Sequence, residues 1–282
     1  MEALLIGFGQ GVVFAAIAFV WMWLAKLFSD VRIKSVYDPD EQIQEHQNLA
    51  VSLRRAGLYI GVSIGMLGAL SGGGTDFATD VVEMLYEGAA VVAFLFLAQF
   101  ATDVVIVHGI QNSEALRDGN VAVGLVEMGI SVATGLVAFG SFAGEGGGIV
   151  SALVFFALGQ LALLLMAVAY ERVTPYKVVE GVRDGNVAAG LMLAGMLVAY
   201  GFILNSSLMG PFVGWTQDLI AFGVSAGMGL ALLLLLQWPI DRLFLPDKSL
   251  LEAIETDRNP AAIAVAVAVK IALALVISAV LI

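Results

Sequence analysis

The chain has 282 residues, of which 60% are hydrophobic and only 13% charged, about half the charged share of an ordinary soluble domain. Its formal net charge of −11 excludes nucleic acid as a partner, and the absence of cysteine excludes disulfides, thiol catalysis and cysteine metal centres. His46 and His108 stand far apart in sequence, so no histidine cluster for a metal is expected.

Apolar stretches predict helices near residues 3–28, 49–71, 82–107, 120–142, 149–170, 187–205, 216–238 and 260–282. Each is long enough to cross roughly 30 Å of hydrocarbon. Open sheet edges are not tolerated in lipid and the stretches are too long for barrel strands, so all eight read as helices. No basic segment accompanies Met1-Glu2-Ala3 ahead of the first apolar run, so that span is expected to be retained.

The connections alternate in charge. Lys26, Arg32, Lys34, Arg54 and Arg55 surround the first, Arg117 lies in the third, Arg172, Lys177 and Arg183 flank the fifth, and Arg242, Lys248 and Arg258 flank the seventh. The connections near 72–81, 143–148 and 206–215 have no lysine or arginine. Positive charge marks the cytoplasmic side, so both termini are predicted outside. The other side carries Asp76, Asp80, Glu83, Glu87, Glu145 and Asp218, readable as a solvated face or as an acidic mouth that concentrates cations. Gly72-Gly73-Gly74 and Gly146-Gly147-Gly148 read as turns there.

An Asn-x-Ala step opens every second span, at Asn48, Asn120, Asn186 and Asn259, spaced 72, 66 and 73 residues apart. Such self-similarity fixes architecture. Asparagine before an apolar helix is a natural cap; four amides converging on a shared axis to line a pathway is the sharper reading. Nine and thirteen residues after each asparagine come Gly57/Gly61, Gly129/Ala133, Gly195/Ala199 and Ala268/Ala272, small pairs on one helix face that read as packing seams. Gln99 and Asp103 recur 138 residues later as Gln237 and Asp241, readable as interhelical hydrogen bonds or as pathway contacts.

Charges at membrane depth are the hardest to explain as packing. Glu127, Lys270, Arg54 and Arg55 fall within predicted spans, where charge faces a partner, water or the bundle interior. Arg55 and Glu127 hold the same position relative to their asparagines and are expected to pair.

Gly-Asn-Val-Ala at 119–122 and 185–188, within tandem four-helix units, resembles the bacterial inner-membrane family called domain of unknown function 350. The resemblance covers essentially the whole chain, as units 1–142 and 143–282, although Gln47 and Arg258 replace the glycine in the outer copies. It implies an uncharacterised integral membrane protein, some relatives being encoded near phage-shock-type stress proteins, and supplies no activity or catalytic residues.

The expectation is an all-α polytopic membrane protein: eight transmembrane helices in four hairpins of one orientation, as a ring or as a pseudo-twofold pair of halves. No catalytic set, metal cluster or cofactor fingerprint is found, so neither an enzyme nor a cofactor is expected. The leading functional reading is a small cation channel or permeation pathway in the bacterial inner membrane. The alternative is a scaffold in envelope stress, whose basic loops recruit a peripheral cytoplasmic protein or anionic lipid. Membrane lipid and a second copy in a homo-oligomer complete the expected partners.

Overall fold

The structure, a computed structural model, describes residues 2–71, 76–105, 112–144, 146–244 and 249–280, with side chains described for all of these except 2, 3 and 101–105. His108, Glu145, Lys248, the glycines 72–74 and the side chain of Asp103 lie outside the described residues. Among those described, the regular structure is entirely helical.

In chain order the helices are α1 (Glu2–Ile33), α2 (Pro39–Gln44), α3 (Leu49–Ser71), α4 (Phe77–Val105), α5 (Asn112–Arg117), α6 (Val121–Phe142), α7 (Gly148–Val173), α8 (Val178–Arg183), α9 (Val187–Leu208), α10 (Trp215–Leu235), α11 (Gln237–Phe244) and α12 (Pro260–Ser278). A π-helical turn, Glu252–Thr256, precedes the last. A short helical segment therefore stands before each of the four asparagines.

Seven stretches are long and apolar enough to cross a membrane: Leu4–Ile33, Phe77–Phe100, Val121–Phe142, Gly148–Val173, Val187–Leu208, Trp215–Phe244 and Pro260–Ser278. The expectation of eight is met only in part. α3 has the length, at 23 residues, but is less apolar than the rest because it carries Arg54 and Arg55.

The asparagine-led helices form the centre. α3 packs on α6, α6 on α9 and α9 on α12, with α1, α4, α7 and α10 flanking them. Contacts ascend together along each pair, so the four run parallel: Gly57 meets Met128, Gly61 meets Ser131 and Gly68 meets Phe142. The predicted ring is not what this chain forms. α3 and α12 stand at opposite ends of an open row, because each central helix spends one face on its predecessor and the opposite face on its successor.

The seams explain the small residues. A Cβ added at Gly57 would lie 2.5 Å from the Met128 Cα, one at Gly129 2.7 Å from the Ala194 Cα, and one at Gly195 2.4 Å from a Val267 methyl. The same offset thus repeats at all three junctions. In lipid, helices are held by van der Waals contact and not by exclusion of water, so backbone approach at these positions is the cohesive device.

Candidate functional site

Each asparagine first caps its own helix. Asn48 Oδ1 accepts from the amides of Ala50 and Val51 at 3.0 and 3.3 Å, and Asn259 Oδ1 from Ala261 and Ala262 at 3.1 and 3.2 Å. Asn120 and Asn186 do the same for α6 and α9. The preceding residue is left-handed in all four copies, with φ of 52° at Gln47, 82° at Gly119, 72° at Gly185 and 48° at Arg258. The backbone motif therefore survives where its glycine does not.

The second half of the amide reaches the next copy. Asn48 Nδ2 donates to the carbonyls of Leu116 and Arg117 at 2.9 and 3.0 Å, and Asn120 Nδ2 to those of Val182 and Arg183 at 3.0 and 3.1 Å. Asn186 Nδ2 donates to the Ile254 carbonyl at 2.7 Å. Asn48 also bonds Gln42 Oε1 at 2.9 Å. Asn259 is exposed, and its Nδ2 has no partner among the described residues. These amides are spent on capping and clasping along a row. The reading in which they surround a shared axis is corrected: among the described residues the four helices that they cap stand in a row.

Buried charge is paired differently from the sequence expectation. Glu127 meets Arg54, with 3.7 Å between Oε2 and Nε, and Asn112 Nδ2 donates to Glu127 Oε1 at 3.0 Å. Arg55 turns the other way and bonds Asp30 and Asp40, which Lys26 Nζ also contacts at 2.7 and 2.8 Å. The reason is helical: consecutive arginines point about 100° apart, so only one can face α6. Lys26 and Arg55 hold Asp40, outside the spans, below the usual carboxylate value. Lys270 is fully buried; its Nζ lies 3.5 Å from Met196 Sδ and 5.9 Å from the centre of the Tyr170 ring, with no carboxylate partner among the described residues.

Gln99 and Gln237 are not structural equivalents. Gln99 is buried mid-helix in α4, where its Nε2 donates to Ser131 Oγ at 3.4 Å. Gln237 begins α11, after α10 has ended. Asp241 accepts from the Leu250 amide and anchors the chain leading to the π-helical turn.

The most polar buried path follows α6. Glu127, Thr134 and Ser141 recur at heptad spacing on one face, with Ser131 beside them, and all four are buried. Thr134 Oγ1 donates to Gln160 Oε1 of α7 at 3.4 Å, so α4 and α7 each offer one glutamine amide to α6. Gln99 Oε1 and Gln160 Nε2 are buried without a hydrogen-bond partner. Such groups are costly in an apolar interior and mark a place where water or an ion fits the donor set.

At the end of α6 farthest from the asparagines, Gly68, Glu83, Glu87, Ser141, Phe142 and Ile149 line a cavity of about 280 Å³. Glu87 is only 7% exposed, and its Oε2 has no partner. Between this cavity and the glutamine layer stand aromatic rings. Phe94 stacks on Phe156 with centroids 3.7 Å apart and lies 5.8 Å from Phe142. The order is acid, ring, amide along α4 (Glu87, Phe94, Gln99), and cavity wall, ring, amide along α7 (Ala152, Phe156, Gln160). Glu87 to Gln99 is about 18 Å at 1.5 Å per residue.

Sequence reasoning named Glu87 and Gln99 separately and missed Ser131, Thr134, Ser141, Gln160 and Asn112. The heptad of polar residues in α6 was a usable signal, as was a lone glutamine in the apolar α7. No group of three or more metal-ligating side chains occurs among the described residues.

Helices of this length and apolarity, joined through small-residue seams, define a multi-pass membrane protein. Residues 3–142 and 146–281 each match the family described as Domain of Unknown Function (DUF350), and the chain belongs to that family, carrying two tandem copies. It is 22% identical over 205 residues to a UPF0719 transmembrane protein of Aquifex aeolicus (strain VF5), covering 70% of this chain and 73% of that one. No solved structure matches it.

Proposed function

We propose that this is a non-enzymatic protein of the bacterial inner membrane that conducts small cations, protons included, along the groove between α4, α6 and α7. In this reading all eight long helices cross as four hairpins of one orientation, with both termini and the Glu87 cavity outside and the asparagine end in the cytoplasm. The placement follows the basic residues, which gather at the asparagine end.

The observation that carries the proposal is Glu87: a carboxylate more than nine-tenths buried, with an unpartnered oxygen, in a cavity whose lining has no basic residue. Nearby acids raise the local concentration of cations. Below it the Phe94–Phe156 stack acts as a hydrophobic constriction of the kind that gates by dewetting. Past the rings, the Gln99 and Gln160 amides and the Ser131 and Thr134 hydroxyls lead to Glu127. The scaffold reading keeps the exposed basic residues Lys34, Arg172, Arg183, Arg242 and Arg258 as a surface for a partner. It loses Lys26, Arg54 and Arg55, which are engaged by acids of the chain itself.

Flux into proteoliposomes, measured separately for protons, sodium and potassium, tests this. Glu87→Gln is expected to cut cation flux at least tenfold, and Phe94→Ala to raise resting leak. Wild-type flux no greater than that of protein-free vesicles for all three ions would overturn the proposal.

A further inference from the structure

The row of central helices ends on a junction that is built but unused. Two, nine and thirteen residues after its asparagine, each copy carries only Ala or Gly: Ala50, Gly57 and Gly61 in α3, and Ala261, Ala268 and Ala272 in α12. In α3 and α6 all three positions receive the next helix, in α9 Gly195 does so, and in each the asparagine amide clasps the turn before that next helix. In α12 all three alanines are exposed, and the Asn259 amide is free among the described residues. A helix face meant for lipid has no need of small residues at the three seam positions.

The opposite end of the row offers the matching half. At the internal junctions the incoming helix presents its positions four, eight and fifteen: Gly124, Met128 and Gly135 of α6, or Gly190, Ala194 and Gly201 of α9. In α3 these are Ser52, Ala56 and Ser63, small and half-buried, with no central helix before them. Ser63 Oγ donates to Met22 Sδ of α1 at 3.4 Å, so the open part of the face lies at Ser52 and Ala56. Gln44 and Glu45 stand where Leu116 and Arg117 stand ahead of Asn120, so their carbonyls are placed to accept from an asparagine clasp. Arg55, which lies on this side of α3, is already neutralised by Asp30 and Asp40 and brings no bare charge to a seam.

We infer that a second copy of this chain docks head to tail, its α3 entering the open seam of α12 and its Gln44–Glu45 turn accepting the Asn259 amide. The contact is heterologous, so repetition produces a closed ring or an open array and not a twofold dimer. It is independent of whether the protein conducts ions.

The chain has no cysteine, which makes the test direct. Across the internal seams position nine meets position eight of the next copy, as Gly57 meets Met128, and position two meets position four, as Ala50 meets Gly124. Single-cysteine variants Ala268→Cys and Ala56→Cys, differently tagged, would be co-reconstituted in liposomes and oxidised, with Leu165→Cys on an exposed face as control. Ala261→Cys with Ser52→Cys forms a second pair should either first variant express poorly. The expected result is a mixed disulfide dimer between the tagged species, several-fold above control, and weakened by Asn259→Ala in the Ala268→Cys chain. Homodimers of Ala268→Cys exceeding the mixed species would indicate a twofold contact and overturn the inference. So would cross-linking of both pairs no greater than the control.

Discussion

Asn120 and Val182 join two copies of the repeat: the Asn120 Nδ2 donates to the Val182 carbonyl at 3.0 Å, while its Oδ1 caps α6. One side chain thus serves as helix cap and as clasp on the following turn. Replacing a capping asparagine by alanine costs about 1 kcal/mol, and each lost clasp bond adds about 1 kcal/mol when it strands a buried carbonyl. Asn48→Ala, Asn120→Ala and Asn186→Ala are therefore expected to lower the apparent melting temperature of single copies dispersed in detergent more than Asn259→Ala, which within one chain loses a cap alone. Equal effects at all four sites would show that the clasp contributes nothing.

The backbone before the asparagines yields a prediction of opposite sign. Gln47 and Arg258 hold positive φ, a conformation costing a side-chain-bearing residue about 1 kcal/mol, whereas Gly119 and Gly185 adopt it freely. Gln47→Gly and Arg258→Gly should each stabilise the fold by several tenths of a kcal/mol, after the added flexibility of the unfolded chain is counted. Thermal unfolding of the two variants beside wild type decides this; a fall in melting temperature for both would refute it.

Arg54 and Glu127 form a pair from which neither can be removed alone. Breaking a buried ion pair by deleting one partner costs about 3 kcal/mol, while replacing both with apolar residues is often nearly neutral. Arg54→Met should destabilise strongly, and Arg54→Met with Glu127→Met should recover much of the loss. A double variant as unstable as the sum of its singles would mean the two side chains act independently.

The seam glycines separate cleanly from the others. A Cβ at Gly129 would lie 2.7 Å from the Ala194 Cα, whereas nothing lies within 4 Å of one at Gly9. Gly9→Ala should be neutral or mildly stabilising, because alanine is the better helix former by about 1 kcal/mol. Gly129→Val should disrupt the α6–α9 seam and reduce the yield of monodisperse protein in detergent size-exclusion chromatography. Recovery of Gly129→Val at wild-type yield and stability would argue against close approach at that position.

Acid should loosen α2 from α1 and α3. Hydrogen bonds from Lys26 first, then Arg55, hold Asp40 below its ordinary value of 3.8. A depressed carboxylate contributes its stability above the unfolded value and loses it as pH falls through the lower folded one. The loss therefore belongs below about pH 4. Comparing the melting temperature of wild type and Asp40→Asn on acidification tests this: the variant should lack that component of the decline.

The sequence by itself determined the membrane character, the approximate extent of the long helices, the place of the asparagines at helix starts and the small-residue seams. These follow from composition, apolar length and residue spacing, all properties of one helix at a time. The short helical segments ahead of the asparagines were not legible in the sequence. Tertiary structure alone decided what each helix faces. It chose Arg54 over Arg55 as the partner of Glu127, separated Gln99 from Gln237 despite their matching spacing, and brought Gln99, Gln160 and Glu87 around α6. It also made the four copies an open row, since whether repeats close depends on the angle each junction imposes, and spacing along the chain does not encode that angle.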